Sequence, residues 1–112
     1  MSRNYEVYLE DILAAIQKIK AYTKGLTKNQ FLRDGKTIDA VIRNFEIIGE
    51  ASHRLPDDFR DKHTSVDWFR IIGFRNRIVH DYMGIDLQIV WTIIQRDLDQ
   101  LEQDIKSISN KL

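Results

Sequence analysis

The segment from Arg75 to Tyr82 brings together side chains that can do chemistry. Its eight residues, RNRIVHDY, contain two arginines, an asparagine, a histidine, an aspartate and a tyrosine. An imidazole titrates near neutral pH and can accept or donate a proton, and a guanidinium can hold a phosphate as negative charge grows on it. These groups suit cleavage of an RNA phosphodiester by the neighbouring 2′-hydroxyl, a route that requires no metal.

Helical spacing decides which of these groups meet. On a helix, Asn76 and His80 are four residues apart and share a face, whereas Arg75 is five residues from His80 and reaches it only with its long side chain. His80 is therefore the candidate acid or base, and Arg75 is the candidate phosphate ligand. Asn76 and Arg77 would support them, and Tyr82 would contact the phosphate or stack on a base.

The same segment also has a purely structural interpretation. The macrodipole favours cations near a helix C-terminus, so this mixture of residues before Gly84 is compatible with an ordinary helix end. The other two histidines, His53 and His63, form no pair with metal-ligand spacing, and we interpret them as surface residues. Spacing alone leaves the catalytic and the structural interpretation open.

The net charge of the 112-residue chain is zero, with 17 basic and 17 acidic side chains, but its distribution is uneven. Residues 1–53 carry eight basic and seven acidic groups, residues 54–80 six and four, and residues 81–112 three and six, which gives +1, +2 and −3. Residues 70–80 contain three arginines and no acid. Neutrality argues against broad binding to a nucleic acid backbone but is compatible with one local phosphate site.

Composition narrows the class of protein. The chain has the length of one domain, which we place at residues 1–112, and it lacks cysteine for disulfides or thiolate metal sites. Three histidines are few for a metal centre, and the common nucleotide- and zinc-binding motifs do not occur, so we expect no metal and no cofactor. The apolar runs fall far short of the ~18 residues that cross a bilayer, and we expect a cytoplasmic protein.

Apolar periodicity predicts four main helices. The first spans residues 5–23, the second residues 37–55, the third begins near residue 68 and carries the arginine-rich segment, and the last runs unbroken from residue 87 to residue 112. No strand-like alternation competes with them. We predict an all-α fold, an up-and-down bundle of about four main helices.

Short signals mark the ends of these helices. Gly25 suits the C-terminus of the first helix, and residues 57–64 form a connector with a short helix. The predicted N-terminal caps are a Thr27 and Gln30 capping box for a short turn, one of Thr64, Ser65 or Asp67 for the third helix, and Asp86 for the last helix.

Two features of the second helix bear on the candidate residues. Gly49 lies on the inward stripe, which predicts a close crossing with another helix. Glu50 would orient Arg75 or Arg77 across the bundle. The apolar seam of the last helix, together with Trp68, Phe69 and Phe74, offers more apolar surface than one small domain covers, and this predicts a homodimer.

Several blocks of the sequence resemble the HepT-like branch of the HEPN superfamily. The superfamily signature is an arginine, four to six residues and a histidine, here Arg75 to His80, with Asn76 directly after the arginine. The branch adds a tyrosine two residues past the histidine, here Tyr82. The other matching blocks, which extend the resemblance over nearly the whole chain, are FEIIGEA from Phe45 to Ala51, Leu55-Pro56, Trp68, IIG from Ile71 to Gly73, and Asp86 to Trp91.

The resemblance implies a homodimer with a cleft at its interface, where the Arg75 and His80 sets of two copies face each other. It implies a metal-independent ribonuclease that is the toxin of a toxin–antitoxin pair, with Arg75 and His80 catalytic and Asn76 supporting. The implied antitoxin is MntA, a minimal nucleotidyltransferase that transfers AMP from ATP to the motif tyrosine, here Tyr82.

The position of Tyr82 adds a geometric prediction. On a regular helix, His80 and Tyr82 would point about 200° apart. We therefore predict that the helix ends or loosens near His80 and places Tyr82 at the mouth of the cleft. Two other functions stay open: a binding module without catalysis, which holds RNA, a nucleotide or the nucleotidyltransferase, and a scaffold in a nucleotidyltransferase complex.

Overall fold

Seven α-helices form the part of the chain that the computed structural model describes, residues 2–112. A single 3₁₀ turn, Tyr82–Gly84, follows the fifth helix. The predicted all-α fold is confirmed, and the four main helical segments are α1, α3, α5 and the pair of α6 and α7. The helices are α1 (Ser2–Thr23), α2 (Lys28–Leu32), α3 (Gly35–Arg54), α4 (Asp57–Lys62), α5 (Trp68–His80), α6 (Leu87–Arg96) and α7 (Leu98–Asn110).

The helix ends follow the predicted signals. Gly25 has a φ of 79°, the left-handed conformation that ends α1. Thr27 and Gln30 form the predicted capping box at α2, in which each side chain accepts a hydrogen bond from the backbone N–H of the other. Of the three candidates at α5, Asp67 is the cap and accepts from the N–H of Arg70 at 3.1 Å. Asp86 caps α6 as predicted.

α3 is the central helix of the bundle. It packs against α1 on one side and against α5 on the other, while α7 packs against α1. The apolar stripes of these helices supply most of the core, since burial of their side chains drives the packing. Among the residues that are fully buried are Leu9, Ile12, Ile16 and Ile19 of α1, Val41, Ile42 and Ile48 of α3, and Ile105 of α7. None of the helices in residues 2–112 is long and apolar enough to cross a membrane.

The predicted unbroken last helix is wrong, because the chain breaks it at Asp97. Asp97 has φ −110° and ψ −22°, and its carboxylate accepts a hydrogen bond from Arg96 Nε at 3.1 Å. Aspartate has a low helix propensity, which is compatible with a break at this position. The break preserves the apolar seam, since Ile94 before it and Leu98 after it are both buried.

A buried carboxylate joins α7 to α1. Glu102 is only 8% exposed and accepts hydrogen bonds from Lys20 Nζ, at 2.9 Å, and from Gln17. The carboxylates of Asp99 and Glu102 raise the pKa of Lys20 above its usual value, so this lysine stays charged at neutral pH. Periodicity alone did not predict this polar contact within the seam.

The crossing of α3 and α5 depends on Gly49. A Cβ atom at this position would lie 2.8 Å from Arg75 Cγ and 3.2 Å from the carbonyl oxygen of Ile71, both on α5. Both distances are shorter than ordinary van der Waals contacts. The absence of a side chain therefore lets the two helices approach, and the predicted close crossing at Gly49 is confirmed.

We expect Gly49→Ala to destabilise the protein in spite of the better helix propensity of alanine. The added methyl group must push α5 away from α3, and overpacking of this kind costs about 1–3 kcal/mol. Urea unfolding followed by circular dichroism measures the change.

Gly73→Ala is the matched control on α5. A Cβ atom at Gly73 meets nothing within 4 Å, so the propensity gain of about 0.5–1 kcal/mol should appear as added stability. Equal changes of the same sign at both positions would show that the crossing does not need a glycine.

Candidate active site

The residues of the candidate site lie at the C-terminal end of α5. The helix ends at His80, and Asp81 leaves it with φ −150° and ψ 58°. Tyr82 then begins the 3₁₀ turn. The prediction that the helix ends near His80 is confirmed. On a continuous helix the side chains of His80 and Tyr82 would point to opposite sides, and the end of the helix lifts this constraint.

Arg75 is held from two sides. Its Nε donates to Glu50 Oε2 at 2.8 Å, and its second terminal nitrogen lies 2.6 Å from the same oxygen. The other terminal nitrogen donates to Asn76 Oδ1 at 2.8 Å. Because Asn76 precedes His80 by one helical turn, the long Arg75 side chain reaches round to the face of α5 that carries His80. The predicted link from Glu50 across the bundle is confirmed, and Arg75 is the arginine that it orients.

Glu50 contacts a second arginine as well. Arg54 Nε lies 3.9 Å from Glu50 Oε1, one turn further along α3. Two guanidinium groups therefore share one carboxylate, and this group of three side chains keeps one net positive charge. The side chain of Arg75 is 23% exposed, so part of its guanidinium still faces solvent.

His80 is the last residue of α5, and its side chain is exposed. Among the hydrogen bonds of the described residues, none involves its imidazole. Both ring nitrogens are therefore available to a ligand. An exposed imidazole can exchange protons with a substrate whose phosphate a guanidinium binds.

Arg77 braces the loop beyond the helix. One of its terminal nitrogens donates to the carbonyl oxygen of Gly84 at 3.2 Å, and its Nε lies 3.4 Å from Asp81 Oδ2. The Asp81 carboxylate lies over Gly84, where a Cβ atom would come within 2.6 Å of Asp81 Cγ. The loop is therefore built around a glycine, and Arg77 supports the turn that carries Tyr82.

The Tyr82 hydroxyl reaches back to α3. It donates to Asp39 Oδ1 at 2.5 Å, a contact between residues 43 positions apart in the sequence. This hydrogen bond, with desolvation as a smaller cause, raises the pKa of Tyr82 to about 12. Asp39 was not among the predicted site residues, because an exposed aspartate near the start of a helix carries no signal of a partner so distant in the sequence.

Comparisons with known proteins identify the family of the chain. A model of the family described as "Ribonuclease HepT-like" matches residues 12–108, which include every residue of the candidate site. The chain belongs to the HepT-like family. No solved structure matches it.

Relatives of this HepT-like chain align over almost their full length. A protein of Thermococcus cleftensis named "Probable ribonuclease HepT" is 39% identical over 102 residues, which are 91% of this chain and 93% of that protein. A "Putative RNase" of Caldanaerobacter subterraneus subsp. tengcongensis is 38% identical over 104 residues, 93% of each chain. Another "Putative RNase", from Methanocaldococcus jannaschii, is 35% identical over 106 residues, with 95% of this chain and 97% of that protein covered.

Among the hydrogen bonds of the described residues, none joins the side chain of either other histidine of the HepT-like chain to a residue of the site. His53 is exposed in the last turn of α3. His63 stacks on Phe59 with ring centroids 4.5 Å apart, and burial lowers its pKa below the usual value. Its carbonyl oxygen accepts from Trp68 Nε1 at 2.9 Å, so it belongs to the packing of the connector before α5.

We expect Asp39→Asn to lower the pKa of Tyr82 from about 12 toward the ordinary value of 10.0. The amide keeps an acceptor oxygen but removes the negative charge that disfavours the phenolate. The measurement is a pH titration followed by ultraviolet absorbance. Subtraction of the titration of a protein that also carries Tyr82→Phe leaves the signal of the Tyr82 phenol alone.

The sign of the stability effect follows from the same pKa. The pKa of Tyr82 is higher in the folded state than in the unfolded state. Its contribution to the free energy of unfolding is therefore complete below pH 10 and is lost as the pH rises toward 12. Wild-type stability should therefore fall more steeply than that of Asp39→Asn between these pH values. An unchanged Tyr82 titration in the variant would contradict the contact.

Proposed function

We propose that the protein is a metal-independent endoribonuclease of the HepT type, the toxin of a toxin–antitoxin pair, and that Arg75 and His80 form its active site in a homodimer. One observation carries the proposal. The Arg75 guanidinium is held by Glu50 and by Asn76, and Asn76 lies one helical turn before the exposed His80. The family description and the names of the relatives, which refer to ribonucleases, support the same activity.

These groups suit transesterification within RNA. The 2′-oxygen of one nucleotide attacks the adjacent phosphorus, the bond from phosphorus to the 5′-oxygen breaks, and the products are a 2′,3′-cyclic phosphate and a 5′-hydroxyl. One imidazole takes the 2′-hydroxyl proton, and a protonated imidazole gives a proton to the leaving oxygen. Arg75 holds the phosphate while its negative charge grows.

A dimer supplies the two imidazoles that this reaction uses. Each copy contributes one His80, so two copies provide one base and one acid. α5 packs chiefly against α3. A second copy that packs along α5, with the C-terminal ends of the two helices side by side, would bring the two sets of Arg75 and His80 into one cleft.

The surface of α5 supports such an interface. Phe69 is 88% exposed and, with Ile72, lines a depression of about 600 Å³ on one flank of the helix. On the other flank, Ile71 and Phe74 line a second depression of about 360 Å³ that α3, α6 and α7 complete. Both depressions are open, the second is largely apolar, and the first contains the exposed Phe69 among polar residues. Since α5 also carries the candidate active site, we assign this surface to a second copy of the chain.

Modification of Tyr82 would silence this site. The proposed partner, an MntA-type nucleotidyltransferase, would add AMP to the Tyr82 hydroxyl. The adduct brings a phosphodiester charge and a bulky nucleoside two residues from His80, where both repel and block an RNA phosphate. The side chain of Tyr82 is 43% exposed and therefore accessible to such a partner.

We expect His80→Ala to lower the rate of RNA cleavage at least about 100-fold, because the proton transfers lose their imidazole. Arg75→Ala should lower it about 10- to 100-fold through loss of a charged hydrogen-bond donor. The assay is cleavage of total RNA by purified protein in the presence of EDTA, with analysis of the cyclic phosphate ends. RNA integrity and growth during expression without the nucleotidyltransferase provide the cellular measurement.

His53→Ala is the control, since it removes an exposed imidazole from α3 that has no assigned role in the reaction. It should cleave RNA at the wild-type rate. Equal cleavage by wild type and His80→Ala would contradict the proposal, and so would tight RNA binding by a wild type that cleaves nothing. The latter result would identify a binding module.

We expect Phe69→Glu to convert the protein to a monomer, because a carboxylate at the centre of the proposed interface would have to be desolvated. Analytical ultracentrifugation should show the wild type at twice the chain mass of 13.3 kDa and the variant at that mass. Val7→Glu, at a residue of α1 that is 50% exposed, is the matched control and should remain dimeric. A monomeric wild type at micromolar concentration would overturn the assignment of this surface.

A further inference from the structure

The Tyr82 hydroxyl has a carboxylate partner within its own chain. Its oxygen donates to Asp39 Oδ1 at 2.5 Å, and the two residues come from different elements, the 3₁₀ turn and α3. The oxygen that makes this bond is the atom that would be modified under the proposed function. Any chemistry at Tyr82 therefore takes place in contact with Asp39.

Exposure alone does not distinguish Tyr82 from other tyrosines. Tyr22 on α1 is 42% exposed, against 43% for Tyr82. Among the hydrogen bonds of the described residues, none joins the Tyr22 hydroxyl to a carboxylate, whereas Tyr82 has Asp39. The carboxylate partner is the feature that makes the hydroxyl of Tyr82 chemically different from an equally accessible one.

Both members of this pair are held in place. Asp39 lies in the second turn of α3, five residues after the Asp34 cap. Tyr82 lies in a turn closed by the bond from Gly84 N to the carbonyl oxygen of Asp81, at 3.0 Å, and braced by Arg77. The pair is thus formed before any partner binds, which lowers the entropic cost of aligning the hydroxyl with a base.

The Tyr82 phenol needs such a base. With a pKa of about 12, it is protonated at neutral pH, and only about one molecule in 10⁵ carries the phenolate. A phenol is a weak nucleophile, so its proton must leave as the new bond forms. A carboxylate in hydrogen-bond contact with the hydroxyl is the usual arrangement for this transfer.

We propose that Asp39 accepts the proton of Tyr82 during nucleotidyl transfer, so that this chain supplies both the nucleophile and the base. The inference rests on the proposed modification of Tyr82 by a nucleoside triphosphate on a nucleotidyltransferase. The Tyr82 oxygen attacks the α-phosphorus, the bond from that phosphorus to the bridging oxygen of the β-phosphate breaks, and pyrophosphate leaves. The proton of the hydroxyl passes to Asp39 Oδ1 and then to solvent.

The test compares modification rates of wild type and Asp39→Asn with a purified MntA-type nucleotidyltransferase and ATP. Intact-mass spectrometry counts the added AMP groups, and Tyr82→Phe identifies the site. Asparagine keeps an acceptor oxygen for the hydroxyl but cannot take the proton. We expect a rate at pH 7.5 about 100-fold below wild type, which rises with pH as the phenolate forms.

The opposite mechanism predicts the opposite result. If the free phenolate were the nucleophile, Asp39→Asn would react as fast as wild type or faster, because loss of the negative charge makes the phenolate easier to form. That outcome would overturn the proposal. Circular dichroism and thermal melting of the variant show whether it is folded, and Asp39→Glu, which restores a carboxylate, should regain part of the rate.

One control variant and two possible outcomes separate this inference from the proposed function. Glu46→Gln removes a different carboxylate of α3, one that pairs with Arg43 at 3.2 Å, and should react like wild type. A wild type that gains no AMP at Tyr82 would refute the modification itself and the role of Asp39 with it. A wild type that is modified at the same rate as Asp39→Asn would refute the role of Asp39 alone.

Discussion

The contact of α3 with α5 at Gly49 is the constraint on which the rest of the site depends. Helices that carry ordinary side chains keep their axes 8–10 Å apart, and a glycine at the crossing permits a closer approach. Glu50 follows Gly49 directly, and Arg75 lies opposite. Gly49, which lets the helices meet, is therefore adjacent to Glu50, which orients Arg75. The packing of the two helices and the position of the arginine thus depend on two consecutive residues.

A second contact ties the end of α5 to the same helix. The chain leaves the helix after His80, turns around Gly84, and brings the Tyr82 hydroxyl back to Asp39 near the start of α3. α5 is thus attached to α3 at its middle and just beyond its end, and His80 lies between the two attachments. The ends of helices ordinarily fray. These two contacts hold the backbone on either side of His80 and leave its imidazole exposed.

The parts of the structure that follow from local chemistry were predictable, and the parts that follow from distant contacts were not. Periodicity and caps located the helices. The inward glycine followed by a glutamate was enough to anticipate the crossing and a link to Arg75 or Arg77, and the structure identifies Arg75 as the partner. The break at Asp97 was not predicted, because the apolar seam continues on both sides of it and the apolar periodicity does not change there. The partner of Tyr82 escaped it because Asp39 lies on the polar face of α3, where an aspartate is ordinary, and only the fold brings the two residues together.

The electrostatics of the site reconcile a neutral chain with a phosphate ligand. Arg54 and Arg75 share Glu50, so this group carries one net positive charge although the whole chain carries none. Arg75 Nε donates to Glu50, one terminal nitrogen donates to Asn76, and the other terminal nitrogen lies 2.6 Å from Glu50 Oε2. A guanidinium has five N–H groups, so this arrangement does not use all of its donors. Under the proposed function, a site with so small an excess charge would bind one phosphate locally instead of a long backbone. It would then also respond to a single added negative charge, because one phosphodiester at Tyr82 equals the entire excess that Arg54, Glu50 and Arg75 provide.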